Sequence, residues 1–131
     1  MTRLRFKVDK LIRDMLPAIM RDQGLRVFDR RLDDAEFNAR LRDKLVEEAL
    51  EARSAATRAE VIDELADLSE VMLALGDING VTEHEVEARR LAKRAERGGF
   101  DNRVYNAAVE GDEGSAALAY YLARPEQYPR E

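Results

Sequence analysis

Cysteine and tryptophan are absent from the 131 residues, histidine occurs once (His84) and proline three times. Without cysteine there is neither a disulfide nor a thiolate metal ligand, and a single histidine leaves too few nitrogen ligands for a zinc enzyme. No Ser–His arrangement offers a covalent nucleophile. Aromatic side chains make up only 6% of the chain, so any core must rest on Leu, Val, Ile and Ala. The longest apolar run, Ala116–Ala123, has eight residues, far short of the roughly 20 needed to span a bilayer. The Met1–Lys10 segment is basic but has no apolar stretch behind it, so no secretory signal is expected and the cytoplasm is the expected compartment. Positive charge is in deficit: 22 Lys and Arg against 27 Asp and Glu give a net charge of −5 and a pI near 5.1. A chain of that sign has no general attraction to nucleic-acid polymers or membrane surfaces. A small anion held through a metal and a local basic patch is still compatible with it.

What is present reads as one helix-rich domain. The hydrophobic and charged fractions are 45% and 37%, and breakers are few. Asp14 as N-cap with Pro17 in the first turn predicts a short helix to about Asp22, stopped by Gly24. Asp33 and Glu36, Thr57 and Glu60, and Thr82 and Glu85 each have the spacing of a capping box. They predict helices over about 34–53, 58–78 and 82–97, the last two ended by Asn79-Gly80 and Gly98-Gly99, with Val81 and Val86 as a hydrophobic staple. The 25–32 and 103–109 segments are expected to pair as a small two-stranded ribbon. Residues 111–114 form a linker and 115–124 a last short helix, so the expected organisation is a domain over 1–110 and an extension over 111–131.

Two carboxylate pairs stand out, Glu48/Glu51 and Glu64/Asp67, each three residues apart and thus on one helix face. At about 100° per residue, the apolar stripe of the 34–53 helix holds Phe37, Leu41, Leu45 and Ala52. Glu48 lies inside it and Glu51 at its edge. On the next helix the stripe holds Val61, Leu65, Leu68, Met72 and Leu75, extended by Val71 and Ile78, with Glu64 inside and Asp67 at the border. Four acids aimed at a core repel one another and lose hydration unless a cation sits among them. Oxygen ligands favour magnesium, with manganese as a substitute. Val46 and Leu50 face the opposite side of the first helix, which points to an oligomer or to cover by the helix bearing Leu118, Tyr121 and Leu122.

Written out, Glu47-Glu48-Ala49-Leu50-Glu51, twelve residues, then Glu64-Leu65-Ala66-Asp67 resembles the EExxE…ExxD signature of the MazG-like, all-α NTP pyrophosphatase superfamily. Lys10-Leu11-Ile12-Arg13-Asp14 with Pro17, Lys44-Leu45-Val46-Glu47-Glu48, and Lys93 through Arg97-Gly98-Gly99-Phe100 resemble its phosphoribosyl-ATP-pyrophosphohydrolase-like, house-cleaning branch. The resemblance covers about residues 7–105. It implies a metal-bearing helical bundle, assembled as a homodimer or homotetramer, that cleaves a nucleoside triphosphate between the α and β phosphates to give the monophosphate and pyrophosphate. Carried over by position, Glu48, Glu51, Glu64 and Asp67 would be the metal ligands and Glu47 an accessory acid that orients or deprotonates the attacking water.

Phosphates also need direct cationic contacts. Lys10, Arg13, Lys93 and Arg97 are the candidates, the last two being four residues apart on one face near a helix end. The competing reading of Lys10 and Arg13 is surface pairing with Asp9 and Asp14, and that of Lys93 and Arg97 is complementing a helix dipole. Lys44 shares the inward stripe and can either neutralise the acids or touch phosphate. Within enzymes the alternative substrate is phosphoribosyl-ATP in histidine synthesis; outside them, the alternative is a nucleotide- or metal-sensing module without catalysis.

Overall fold

Short polar side chains start four of the helices. Asp33 accepts from the Glu36 amide at 2.8 Å, Thr57 from Glu60 at 3.2 Å, Thr82 from Glu85 at 3.1 Å, and Ser115 from Leu118 at 3.2 Å. Each occupies one of the donors that a helix start leaves unpaired. The Thr82 box is reciprocal, with Glu85 accepting from the Thr82 amide at 3.1 Å. Glu60 reaches one residue further back, to the Ala56 amide, and Glu36 is taken instead by Arg30 through two hydrogen bonds. The computed structural model describes residues 1–131 and contains five helices: α1 (Leu16–Asp22), α2 (Asp34–Ser54), α3 (Arg58–Ile78), α4 (Glu83–Arg97) and α5 (Ala116–Leu122). The all-α class and the helix bounds follow the capping signals closely. No helix is long and apolar enough to cross a membrane.

Three expectations are corrected. Asp14 does not cap α1: Met15 holds the N-cap position without a side-chain bond, because a turn from Arg13 to Leu16 precedes the helix. Pro17 does sit in the first turn, where its missing N–H costs little. The two-stranded ribbon does not form, since neither 25–32 nor 103–109 contains a strand. In the first of these segments Arg21 donates to the Val27 carbonyl and to Asp29, and Arg5 stacks on Phe28 at 4.3 Å, so side chains rather than a ladder hold it. The third correction concerns which face of α3 is inward.

The chain divides into two units, Met1–Lys93 and Arg94–Glu131. In the first, α2 and α3 pack along their length as an antiparallel hairpin around residues 55–57. Far from that turn, Asn38 and Asn79 exchange amide hydrogen bonds at 3.1 and 3.2 Å. Leu41 and Val71 are buried in the seam at 2% and 8% exposure. Around them Phe37, Leu45 and Ala52 on α2 and Leu68, Ala74, Leu75 and Ile78 on α3 are half-buried. The α2 stripe is the one expected. On α3 the buried line runs through Glu64, Asp67, Leu68, Val71 and Leu75, while Val61, Leu65 and Met72 are exposed. A two-helix seam admits only one narrow ridge of each helix. Here that ridge carries the acids inward and leaves a second apolar ridge uncovered.

In the second unit Gly98 takes φ +83°, a left-handed conformation that ends α4. Gly99 leaves room for the Arg94 guanidinium, which pairs with Asp101 at 2.7 Å. The Gly-Gly pair is thus a helix stop. In the extension, Tyr120, Tyr121 and Tyr128 pack as a three-ring cluster, with Arg124 over Tyr120 at 3.8 Å.

Candidate metal centre

Because the hairpin turns at Thr57, residues nearly equidistant from it come to the same level. Glu51 lies six residues before Thr57 and Glu64 seven after it; Glu48 lies nine before and Asp67 ten after. The four carboxylates therefore meet across the seam, and one oxygen of each can be chosen so that all four lie within 4.8 Å of one another. Glu48 is 6% exposed, Glu64 and Asp67 are half-buried, and Glu51 is open to solvent.

One oxygen each of Glu48 and Glu64 is buried without any hydrogen-bond partner. An unpaired buried carboxylate oxygen is costly, which makes these two atoms the clearest sign that the cluster is suited to hold a cation. Burial, and then the neighbouring Glu51 carboxyl, push Glu48 above its ordinary range; the same causes push Glu64 up to about 7. Glu47 behaves oppositely: the Lys10 ammonium at 2.8 Å, with Lys44 at 2.9 Å, holds it below the usual carboxylate range.

Three cations border the acids. Lys10 pairs with Glu47, Arg13 with Asp67 at 2.7 Å, and Lys44 bridges Glu47 and, at 3.5 Å, Glu48. Pairing of Lys10 and Arg13 with Asp9 and Asp14 is not what happens; Asp9 pairs with Lys7. Lys44, which sequence alone left undecided, neutralises: it lies one turn before Glu48 on the same face, and that i,i+4 step was the signal for it. Fully ionised, as they would be on a metal, the five carboxylates face three cations with an excess of two negative charges, the charge of one divalent ion. An all-oxygen donor set with that excess and two orphan oxygens fits a hard divalent cation.

Lys93 and Arg97 are not drawn into this cluster by any ion pair. Lys93 lines a shallow groove with Val81, Glu85, Val86, Arg89 and Arg90. Arg97 belongs to the second unit.

An all-helical chain with an acid-lined hairpin of this kind defines a class, the MazG-like all-α nucleotide pyrophosphatases. Residues 19–94 match the model of the family described as phosphoribosyl-ATP pyrophosphohydrolase, more than half of the chain, and the chain belongs to that family. It is accordingly a nucleotide pyrophosphohydrolase, a hydrolase acting on acid anhydrides, from a family whose enzymes use divalent metal ions. The match covers all four candidate ligands, Glu47 and Lys44, but begins after Lys10 and Arg13. No curated protein and no solved structure gives a match.

Proposed function

We propose that the chain hydrolyses nucleoside triphosphates between the α and β phosphates with magnesium, or manganese in its place, removing noncanonical or surplus nucleotides from the cytoplasm. The observation that carries this reading is the pair of orphan oxygens on Glu48 and Glu64 inside a four-carboxylate cluster. Glu48, Glu51, Glu64 and Asp67 would hold the ion, whose chemistry there is to polarise the α-phosphorus, offset charge on the leaving pyrophosphate and acidify a bound water. Glu47 orients the attacking water. Held by two lysines, it stays anionic at neutral pH but is a weakened base, which suits positioning better than proton abstraction. Lys10 and Arg13 supply cationic contacts to the phosphates, and Lys93 and Arg97, which have no carboxylate partner, are the second phosphate-binding pair in this reading. The catalytic domain is taken as 1–110, with 111–131 an extension.

A second substrate reading, phosphoribosyl-ATP in histidine synthesis, fits equally well, and the matching family is described by that substrate. A pyrophosphate-release panel separates the two. Standard and modified nucleoside triphosphates, turned over with magnesium, support the first. Turnover of phosphoribosyl-ATP with free triphosphates ignored selects the second, and tight nucleotide binding without any product over hours would instead indicate a sensor.

We further propose a homodimer or homotetramer. A hairpin of two helices hides one seam, yet Val46 and Leu50 on α2 are 60% and 54% exposed, and Val61, Leu65 and Met72 form an open ridge on α3. Apolar ridges on both helices are the surface that helical bundles bury against further helices. Light scattering on the purified chain should give at least twice 14.9 kDa; a monomer at micromolar concentration would reject the assembly.

A further inference from the structure

The three cations at the cluster are not equivalent. Lys10 sits on Glu47, which is outside the set of four candidate ligands. Lys44 touches Glu48 only at 3.5 Å and is held at 2.9 Å by Glu47, so it keeps a partner whatever Glu48 does. Arg13 alone is seated on a candidate ligand and has no other carboxylate, its single ion pair being to Asp67. That grip uses one N–H, in contrast to Arg30, which clasps both oxygens of Glu36. The Arg13 side chain is more than half exposed, and its backbone lies in the turn before α1 rather than in the hairpin. It can therefore swing without disturbing α2 or α3.

Resting on the metal and phosphate reading above, we infer that Arg13 is an exchanging counter-ion: it neutralises Asp67 in the metal-free site and is released by the incoming divalent ion to bind the phosphate chain. A divalent ion on Asp67 and a guanidinium on the same carboxylate repel each other, so filling the site weakens the Arg13–Asp67 pair. The freed guanidinium has five N–H donors in a planar fork that matches phosphate oxygens. Metal entry then primes the phosphate site, and an unloaded hairpin presents Arg13 engaged rather than free. Favourable coupling between metal and phosphate follows, because each removes the competitor of the other.

Calorimetric titration with manganese alone tests the first half. Arg13→Gln removes the competing charge and should bind manganese about five- to tenfold more tightly than the unmodified chain, at the lower end of the usual span of site–site coupling. Arg30→Gln, which deletes an equal charge away from the cluster, should change this little. Unchanged or weaker binding by Arg13→Gln overturns the exchange, since it would mean that Arg13 supports Asp67 as a ligand. The second half is read with inorganic triphosphate, the phosphate chain common to both candidate substrates, at saturating manganese. Arg13→Gln should lose about tenfold or more in triphosphate affinity, the scale of a charge-assisted contact; no loss would show that Arg13 does not reach phosphate. If the unmodified chain takes up no manganese, the metal reading itself fails; if it does and only the Arg13→Gln comparison fails, the exchange alone is rejected.

Discussion

Glu48→Gln should lose about a hundred- to a thousandfold in turnover with magnesium, the scale seen when one preorganised contact to a developing oxyanion is removed. In the same variant, metal-free melting should rise by roughly 3–6 °C, the shift expected for about 1 kcal/mol in a domain of this size. The opposite signs are what make the pair of measurements informative. Glu48 is 6% exposed, and one of its oxygens has no partner. Without metal its charge is a liability, since Glu51 and Asp67 both oppose it and Lys44 offsets it only weakly. An amide keeps the shape, removes the repulsion and cannot serve as an anionic ligand. A structural role would move both quantities down together. Turnover equal to that of the unmodified chain would remove Glu48 from the site altogether. Asp63→Asn, on the solvent side of α3, should change neither measurement appreciably.

The hairpin that carries these acids was legible because its punctuation is local. Asp33 and Thr57 accept the amides their spacing implies, and Gly80 and Gly98 end helices through positive φ. The level pairing of Glu51 with Glu64 and of Glu48 with Asp67 was implicit as well, once Thr57 fixed the turn between them. What could not be read was rotation. On α3 the apolar residues spread over more than one face, and a helical wheel centres the stripe on their mean, near Val61 and Leu68. The seam with α2 instead selects Val71 with Glu64 and Asp67, because packing against one neighbour rewards a narrow ridge and ignores apolar residues beside it. The same limit applied to the basic residues. Lys10 and Arg13 had acidic neighbours in sequence, Asp9 and Asp14, but the helix-free segment before α1 carries them to Glu47 and Asp67, 37 and 54 residues away. Long-range pairing of this kind has no local signature. The ribbon failed for a related reason: Val27 and Phe28 set between arginines make 25–32 resemble a strand, and only the tertiary placement of Arg21 and Arg5 shows that side chains satisfy it.

Divalent affinity should climb about tenfold per pH unit up to roughly pH 7 and then level off, because one proton must leave for each ion bound. The proton is that of Glu64, whose carboxyl is pushed up to about 7 by burial and by Glu51, Glu48 and Asp67 around it. Calorimetry at pH 6 in buffers of different ionisation enthalpy should count close to one proton released per ion, and almost none at pH 8. Stability without metal has the opposite slope. Glu64 binds its proton more tightly in the folded chain than at its ordinary value of 4.5, so its contribution is complete below about 4.5 and disappears as the pH rises to about 7. Glu47, held below its ordinary range by Lys10 and Lys44, contributes in the other sense: its stabilisation is present above about 4.5 and fades on further acidification. The metal-free chain should therefore melt highest in mildly acidic buffer and lose stability towards neutrality, while saturating magnesium restores it there. A metal-free melting temperature that rises steadily from pH 5 to pH 7.5 would mean that Glu64 is ionised throughout, leaving no proton for the ion to displace.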